Sequence, residues 1–173
     1  VTDNVLGVVA APTSQGTSTL LLTYEESPVV EEMDTSGNSL QTYDGTNGCY
    51  PSTANILSTA TNVDHLVLSL DSGVFVHFDR ATGACTSYDT TNGLPTSFVG
   101  DVALVDTMAY MATEDKGVLR YDITNDSWLE PWGSTGINGV EFAAVAMVGD
   151  VLHLGLQGFG AVSYTHLRAH ETV

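Results

Sequence analysis

One stretch of eleven residues occurs twice in this chain in similar form. Residues 42–52 read TYDGTNGCYPS, and residues 87–97, which lie 45 positions later, read SYDTTNGLPTS. An Asn-Gly pair accepts the left-handed dihedrals of a tight turn, and a following Pro stiffens the exit from that turn. A turn that is repeated at a fixed spacing indicates a repeated structural unit. We therefore interpret the phrase as the connection between the last strand of one unit and the first strand of the next.

Four copies of the unit become visible when the Asn-Gly turns are aligned. Residues 33–48 lie over residues 78–93 at an offset of 45, and Met108 lies over Val151 at an offset of 43. A period of 43–45 residues is typical of a propeller blade, as in WD40 repeats, and not of the shorter leucine-rich, ankyrin or TPR repeats.

Each copy reads as four short apolar strands that are separated by Asp, Gly, Asn and Ser. The third copy predicts strands at 99–105, 108–113, 117–123 and 127–132. No window has a helical period, so we expect little helix. The sequence predicts an all-β partial β-propeller of four-stranded antiparallel blades.

Residues 1–161 amount to about 3.7 blades, whereas propellers close with about four to eight. The predicted blades lie at about 5–44, 56–89, 99–132 and 143–161. We expect the chain to be a fragment of one larger propeller domain, with the remaining blades of the parent chain as partners.

The C-terminal segment has a different composition from the rest. Residues 162–172 read VSYTHLRAHET, which resembles the translation of a sequencing adapter. We therefore predict that residues 162–173 are a non-native tail and exclude them from site prediction. The alternative is an ordinary polar C-terminal strand.

Two copies carry motifs of a known repeat family. Thr113, Gly117, Tyr121 and Asp122 form a turn followed by Tyr-Asp, and residues 92–95 read NGLP. These motifs resemble the propeller repeats of two-component-regulator sensor proteins. The resemblance implies a β-propeller that binds or senses a ligand.

The charge balance excludes several classes of partner. The chain has 4 Lys+Arg against 21 Asp+Glu, a formal net charge of −17. Such a chain cannot build the cationic surface that binds nucleic acid or an anionic membrane. No apolar run approaches 18 residues, so no membrane insertion is predicted in this segment. We expect an extracellular or cell-surface location, with the periplasm as the alternative.

The two cysteines, Cys49 and Cys85, have neither CxxC spacing nor the density of a disulfide scaffold. Because they fall in different repeats, we predict two small, partly buried thiols and no disulfide.

Motifs for catalysis or metal binding are missing from the sequence. There is no GxSxG elbow, and His65, His77 and His153 fall within predicted strands without an HxH or HExxH pattern. We predict no catalytic residue, no metal site and no cofactor. The stretches 44–48 and 89–93 carry oxygen ligands but lack the EF-hand set, so weak Ca²⁺ binding is the alternative to a plain turn. Trp128 and Trp132 are predicted to pack between blades.

Two further turns have the pattern SLDSG (69–73) and TEDKG (113–117). We predict that each Asp caps a hairpin, and that Gly73 and Gly117 have positive φ because the chain must reverse within a few residues.

The strand order also predicts a binding surface. In four antiparallel strands, the turn between strands two and three emerges on the same side as the connection to the next blade. Binding residues usually lie on such loops of a rigid scaffold. We therefore predict an acidic rim that attracts cations or basic groups, formed by Asp44, Asn47, Asp71, Asp89, Asn92, Glu114 and Asp115.

The function predicted from the sequence is a non-catalytic propeller module that binds or senses a protein or small ligand. The first alternative is a piece of a propeller enzyme, namely a glycosidase, a lyase or a quinone-dependent dehydrogenase, with its catalytic residues on other blades. The second is a purely structural surface protein. Fold alone does not decide among these classes.

Overall fold

The computed structural model describes residues 4–45, 48–132, 142–148, 151–156 and 160–164. These ranges contain fifteen β-strands and no helix. It follows that the described part has no helix long and apolar enough to cross a membrane. The chain divides into two compact units, Val1–Val99 and Gly100–Val173, which are described separately.

The first unit contains two four-stranded antiparallel sheets. The first sheet has the order β1(Val5–Pro12), β2(Ser18–Tyr24), β3(Val30–Met33), β4(Ser39–Tyr43). The second sheet has the order β5(Ile56–Thr61), β6(His65–Leu70), β7(Val74–Asp79), β8(Cys85–Tyr88). Every strand pairs with its neighbour in sequence, so each sheet is a simple meander.

The second unit contains the third and fourth sheets. The third sheet consists of β9(Asp101–Val105), β10(Met108–Ala112), β11(Val118–Asp122) and β12(Ser127–Trp132). The fourth sheet has three strands within the described residues, β13(Phe142–Val148), β14(Val151–Leu156) and β15(Gly160–Tyr164). The predicted all-β class is confirmed, and so are the four strands that the sequence predicts for the third copy.

The core of the first unit lies between its two sheets. Side chains of a strand alternate between its two faces, and an apolar face of each sheet packs against the other sheet. Leu21 and Val30 of the first sheet pack with Leu66, Leu68 and Val76 of the second, and all five are completely buried. The rings of Tyr43 and Phe78 meet edge to face, with centroids 5.3 Å apart.

A buried ion pair joins the two sheets through this core. Nη2 of Arg80 lies 2.6 Å from Oε1 of Glu32, and both side chains are less than a tenth exposed. Thr19 and Tyr43 also donate hydrogen bonds to the Glu32 carboxylate, at 2.5 and 2.7 Å. Nη1 of Arg80 donates to the carbonyl of Pro12 at 2.8 Å. The pair is thus hydrogen-bonded on both sides, which is the condition under which a buried charge is tolerated.

The second unit has its own core between the third and fourth sheets. Ala112 and Val118 pack with Val145, Leu152 and Leu154, all of which are buried. The first strands of the two sheets lie side by side, and the Asp101 carboxylate accepts a hydrogen bond from the Val145 amide at 2.8 Å.

Cys49 and Cys85 form a disulfide, so the prediction of two thiols was wrong. Cys49 lies in the connection between β4 and β5, and Cys85 begins β8 at a sequence separation of 36. The meander returns β8 to the outer edge of the second sheet, beside the incoming connection, and the two Cα atoms are 6.1 Å apart. Membership in different repeats therefore does not keep the two cysteines apart.

The predicted hairpin glycines are confirmed, because φ is 75° at both Gly73 and Gly117. Asp71 accepts a backbone hydrogen bond from Ser72 within its hairpin and also reaches across to Asn55, as described below. The hairpin of the second unit is closed by Thr113, to which the sequence analysis assigned no capping role. The Thr113 hydroxyl donates to the Gly117 carbonyl at 2.7 Å and accepts from the Lys116 amide at 3.0 Å.

The two tryptophans differ in their contacts. Trp132 packs against the core between the third and fourth sheets, as predicted, and its ring also contacts Tyr110 and the Arg120 guanidinium. Trp128 packs on Tyr121, which is its partner on the adjacent strand of the same sheet, with ring centroids 4.9 Å apart.

The three strand histidines are half-buried, as the sequence predicts. Nε2 of His77 and Nδ1 of His65 lie 3.1 Å apart on neighbouring strands, within hydrogen-bond distance.

The fourth sheet includes the first residues of the predicted tail. Residues 162–164 belong to β15, where Val162 pairs with Leu154 and Tyr164 pairs with Leu152. Residues 165–173 lie outside the described residues. The assignment of 162–173 to a tail stays a prediction.

Candidate binding site at the acidic rim

The meander brings three loops of the first unit to one end of the second sheet. The turn 71–73 between β6 and β7 lies at the end from which the chain enters β5 and leaves β8. The connections 44–55 and 89–100 therefore flank this turn. A Cβ added to Gly73 would clash with the backbone carbonyl of Ser97, which shows how closely the turn and the second connection approach each other.

A cleft of about 400 Å³ opens where these loops meet. It is lined by the backbone and side chains of Gly48, Cys49, Tyr50, Pro51, Val74, Ser87 and Asp89. The lining residue Cys49 is linked to β8 at two points, since it is bonded to Cys85 and its carbonyl accepts a hydrogen bond from the Ser87 hydroxyl.

Asp71 locks the turn to the preceding connection. Its carboxylate accepts hydrogen bonds from the amide of Asn55 at 2.8 Å and from the Asn55 side chain at 2.7 Å. Hydrogen bonds from the backbone and then the side chain of Asn55 lower the Asp71 pKa below its ordinary value. Asp71 is exposed, so its negative charge faces solvent at neutral pH.

Asp89 begins the second connection and lines the cleft. Its Oδ1 accepts from the Thr91 amide at 2.7 Å and from the Thr91 hydroxyl at 2.6 Å. The Thr91 side chain first, and then its amide, lower the Asp89 pKa. Asp89 is therefore ionised at neutral pH, and it lines the cleft.

Asn92 contributes to the geometry of this turn. Its Oδ1 accepts from the Asp89 amide at 2.6 Å, and its Nδ2 donates to the Ser87 carbonyl at 3.0 Å. Both polar atoms of the Asn92 side chain hold the connection in shape, so the structure places it as a support of Asp89.

Asp44 lies on the other connection, close to Tyr50. Burial raises the pKa of the Tyr50 hydroxyl, and the negative charge of Asp44 raises it further. The hydroxyl keeps its proton and donates to the Pro28 carbonyl at 2.7 Å. Asn47, which the sequence also predicts in this site, lies outside the described residues.

Glu114 and Asp115 occupy the corresponding hairpin of the second unit. Both are exposed, and the Asp115 carboxylate lies 3.4 Å from Nζ of Lys116. The adjacent lysine offsets part of the negative charge of this turn.

Few positive charges lie near the carboxylates of the rim in the first unit. Arg80 is the one Lys or Arg among residues 1–99. The guanidinium of Arg80 is buried and paired with Glu32. The carboxylates of the rim therefore create a region of negative potential.

The carboxylates of the rim do not form a recognisable metal site within the described residues. Among the described residues, no three His, Cys, Asp or Glu side chains are grouped so that they could hold a metal ion. At the turn 89–93 one Asp89 oxygen is already occupied by Thr91.

The sequence analysis missed Tyr50, Asn55 and the disulfide as parts of this site. Asn55 has no motif of its own, and its role depends on a partner 16 residues away. The repeat alignment offered a usable signal for Tyr50, because it lies two residues after the Asn-Gly pair of the first connection.

The chain is similar to known proteins in its three-dimensional structure. No family model and no curated protein sequence matches the chain. The structure of the RRP9 WD40 repeats matches with a TM-score of 0.66 and 13% identity, over 90% of this chain and 46% of that chain. The WD40 β-propeller domain of Doa1 matches with a TM-score of 0.62 and 16% identity, over 91% and 50%.

A computationally designed protein, Ika4, matches with a TM-score of 0.64 and 13% identity, over 91% of this chain and 90% of that one. In contrast to its match with Ika4, the chain spans about half the length of the WD40 structures that it resembles. At these identities the likeness concerns the fold alone. The protein has the fold of a partial β-propeller built from WD40-like repeats.

Proposed function

We propose that this protein is a non-catalytic binding module whose acidic rim in the first unit binds a basic segment of a partner protein. The observation that carries the proposal is the pair Asp71 and Asp89, ionised carboxylates on rigid loops beside an open cleft. Loops on a rigid scaffold are the usual place for binding residues, and a surface of one sign favours partners of the other.

The chemistry of the cleft suits a Lys or Arg side chain. Its lining includes the charged residue Asp89 together with the apolar groups of Tyr50, Pro51 and Val74. Long basic side chains lay their methylene stems on apolar surface and keep the charged group at a polar edge. Carboxylates that already hold their charge need no proton release when a cation binds.

The proposal also includes a compartment. Disulfides persist in oxidising environments such as the extracellular space and the periplasm. The Cys49–Cys85 bond therefore supports an extracellular or cell-surface location. The proposed module needs no cofactor, and weak Ca²⁺ binding by the loop oxygens of the rim is the alternative cation interaction.

The test uses a hexa-arginine peptide as a probe in isothermal titration calorimetry at low salt. We expect binding of the wild-type chain, and about tenfold weaker binding by the D71N/D89N double variant, because the two charges at the cleft are removed. The peptide should also bind more weakly at 0.3 M NaCl.

The chain offers a closely matched control on the opposite rim. Asp34 accepts from the amide and the side chain of Asn38 at 2.8 and 2.7 Å, as Asp71 does from Asn55. Asp79 accepts from the amide and hydroxyl of Thr82, as Asp89 does from Thr91. The D34N/D79N variant changes the net charge equally and should keep wild-type affinity. Equal weakening of both double variants, or no binding by wild type, would overturn the proposal.

A further inference from the structure

The first sheet has an apolar face that its own unit does not cover. Leu21 and Val30 point into the core, so the alternate residues of the same strands lie on the other face. Leu20 is paired with Met33, and Leu22 is paired with Val8, which places these four side chains on one surface. We call this surface the open face of the first sheet. Val8 is 58% exposed and Leu20 is 36% exposed.

The fourth sheet has a second uncovered face. Val145 and Leu154 point into the core of the second unit, so Ala144, Ala146 and Val148 lie on the opposite side. Ala144 and Ala146 are exposed, and Val148 is 66% exposed. Ala144, Ala146 and Val148 give this open face of the fourth sheet small apolar side chains, and the cross-strand partner of Ala144 is Gly155.

The second sheet, in contrast to the first and fourth, is buried on both of its faces. Its residues Leu66 and Leu68 are completely buried on one face, and Val67, Ser69 and Phe75 are completely buried on the other. Both faces of the second sheet are therefore covered. The open faces of the first and fourth sheets lack this cover within the described structure, and large exposed apolar surface marks an interaction site.

The two open faces differ in the size of their side chains in a way that suits contact between them. Larger side chains such as Leu20, Leu22 and Met33 stand on one, while alanines and a glycine leave room on the other. The first face also bears Glu31, whose carboxylate accepts a hydrogen bond from Tyr24 at 2.5 Å. The fourth also bears His153, the cross-strand partner of Ala146.

We propose that the open face of the first sheet docks on the open face of the fourth sheet of a second copy of this chain. The contact is head to tail, and a two-fold arrangement makes it twice, so that it closes. The chain aligns with about half of a WD40 propeller domain, so two copies supply the sheets of one whole propeller. A further blade of a longer chain offers the same chemistry, and the experiment separates the two occupants.

The test measures the mass of the full chain by sedimentation velocity and light scattering at micromolar concentration. We expect twice the chain mass of 18.2 kDa. The L20E variant places a charge on the open face and should be monomeric, as should A146K on the opposite partner surface. Leu129 on β12 has the same exposed fraction as Leu20, 36%, so L129E is the matched control and should remain dimeric.

Mixing the two monomeric variants tests the head-to-tail geometry. In the mixed pair one contact has Glu opposite Lys and the other is wild type, so a dimer should form only after mixing. Circular dichroism of each variant checks that it is folded. A wild-type chain that is monomeric at 100 µM would overturn the proposal and leave the face to a further blade. Open-ended oligomers, or dimers of A146K alone, would also overturn it, because the contact would then not be the closing one described.

Discussion

Gly73 combines a special backbone conformation with a crowded position, and the chain contains a residue that separates the two effects. Gly73 has a φ of 75° and sits against the Ser97 carbonyl, whereas Gly16 has a φ of 74° with no atom near the position of an added Cβ. A left-handed residue other than Gly costs about 1 kcal/mol. We expect G16A to lower the free energy of unfolding by about that amount and G73A by clearly more. Urea denaturation of the two variants measures both, and equal losses would show that the Ser97 contact is relieved without cost.

Glu32 is buried with its partners, and its titration should appear in the stability of the protein. Burial alone would raise the pKa of Glu32, but hydrogen bonds from Thr19, Tyr43 and Arg80 outweigh it and lower the pKa below the ordinary value of 4.5. Burial first, and then the hydrogen bond to Glu32, raise the pKa of Tyr43 to about 12, so its hydroxyl remains a donor. A lowered folded pKa stabilises the protein above the unfolded value, and this stabilisation is lost as the pH falls through the folded value.

The expected result is a pH-dependent gap between wild type and E32Q. At pH 7 the variant should be about 3 kcal/mol less stable, because it leaves the Arg80 charge buried without a carboxylate. Below pH 4.5 the gap should narrow, since wild type then also loses the charge. Because acidification relieves the general repulsion of both proteins alike, the difference isolates Glu32. Thermal denaturation between pH 3 and 7 measures the gap, and a constant gap would contradict this account.

At the scale of elements, most of the fold could be predicted because it depends on local pattern. Period-two apolar strands, glycine turns and the 43–45-residue spacing predicted the meander of the third sheet almost residue by residue. The contacts between elements could not be predicted in the same way. The Glu32–Arg80 pair spans 48 residues and the disulfide spans 36, and neither separation equals the 43–45-residue spacing of the repeat.

The same distinction applies to the acidic rim. Strand order alone was enough to put Asp71 and Asp89 at one end of the second sheet, because it determines where each loop emerges. That Asn92 supports Asp89, or that Asp71 holds Asn55, depends on side-chain rotamers within the loops. A binding role for the rim stays a prediction that the peptide titration tests.

The disulfide joins a connection to an outer strand, so its removal should act on the whole first unit. A cross-link that closes a loop of this size stabilises a protein by about 3–4 kcal/mol, chiefly by restricting the unfolded chain. We expect C49S/C85S to lower the free energy of unfolding by about this amount. Dithiothreitol should lower the midpoint of wild type to that of the variant and leave the variant unchanged. If dithiothreitol leaves the unfolding midpoint of the wild-type protein unchanged, the disulfide contributes little to stability.

At the scale of the whole molecule, the net charge of −17 should make stability depend on ionic strength. Like charges repel more strongly in a compact state than in an expanded one. Arg80, the one Lys or Arg among residues 1–99, is already buried in an ion pair with Glu32 and cannot offset this repulsion. Salt screens such repulsion over about 8 Å at physiological ionic strength. We expect the melting temperature to rise by several degrees between about 0.02 and 0.3 M NaCl and then to level off. Choline chloride should act like NaCl at equal ionic strength, since screening depends on ion valence. The same salt should weaken binding of the arginine peptide, so stability and affinity should change in opposite directions. A melting temperature that is flat or falls over this range would mean that the dispersed carboxylates do not destabilise the folded state.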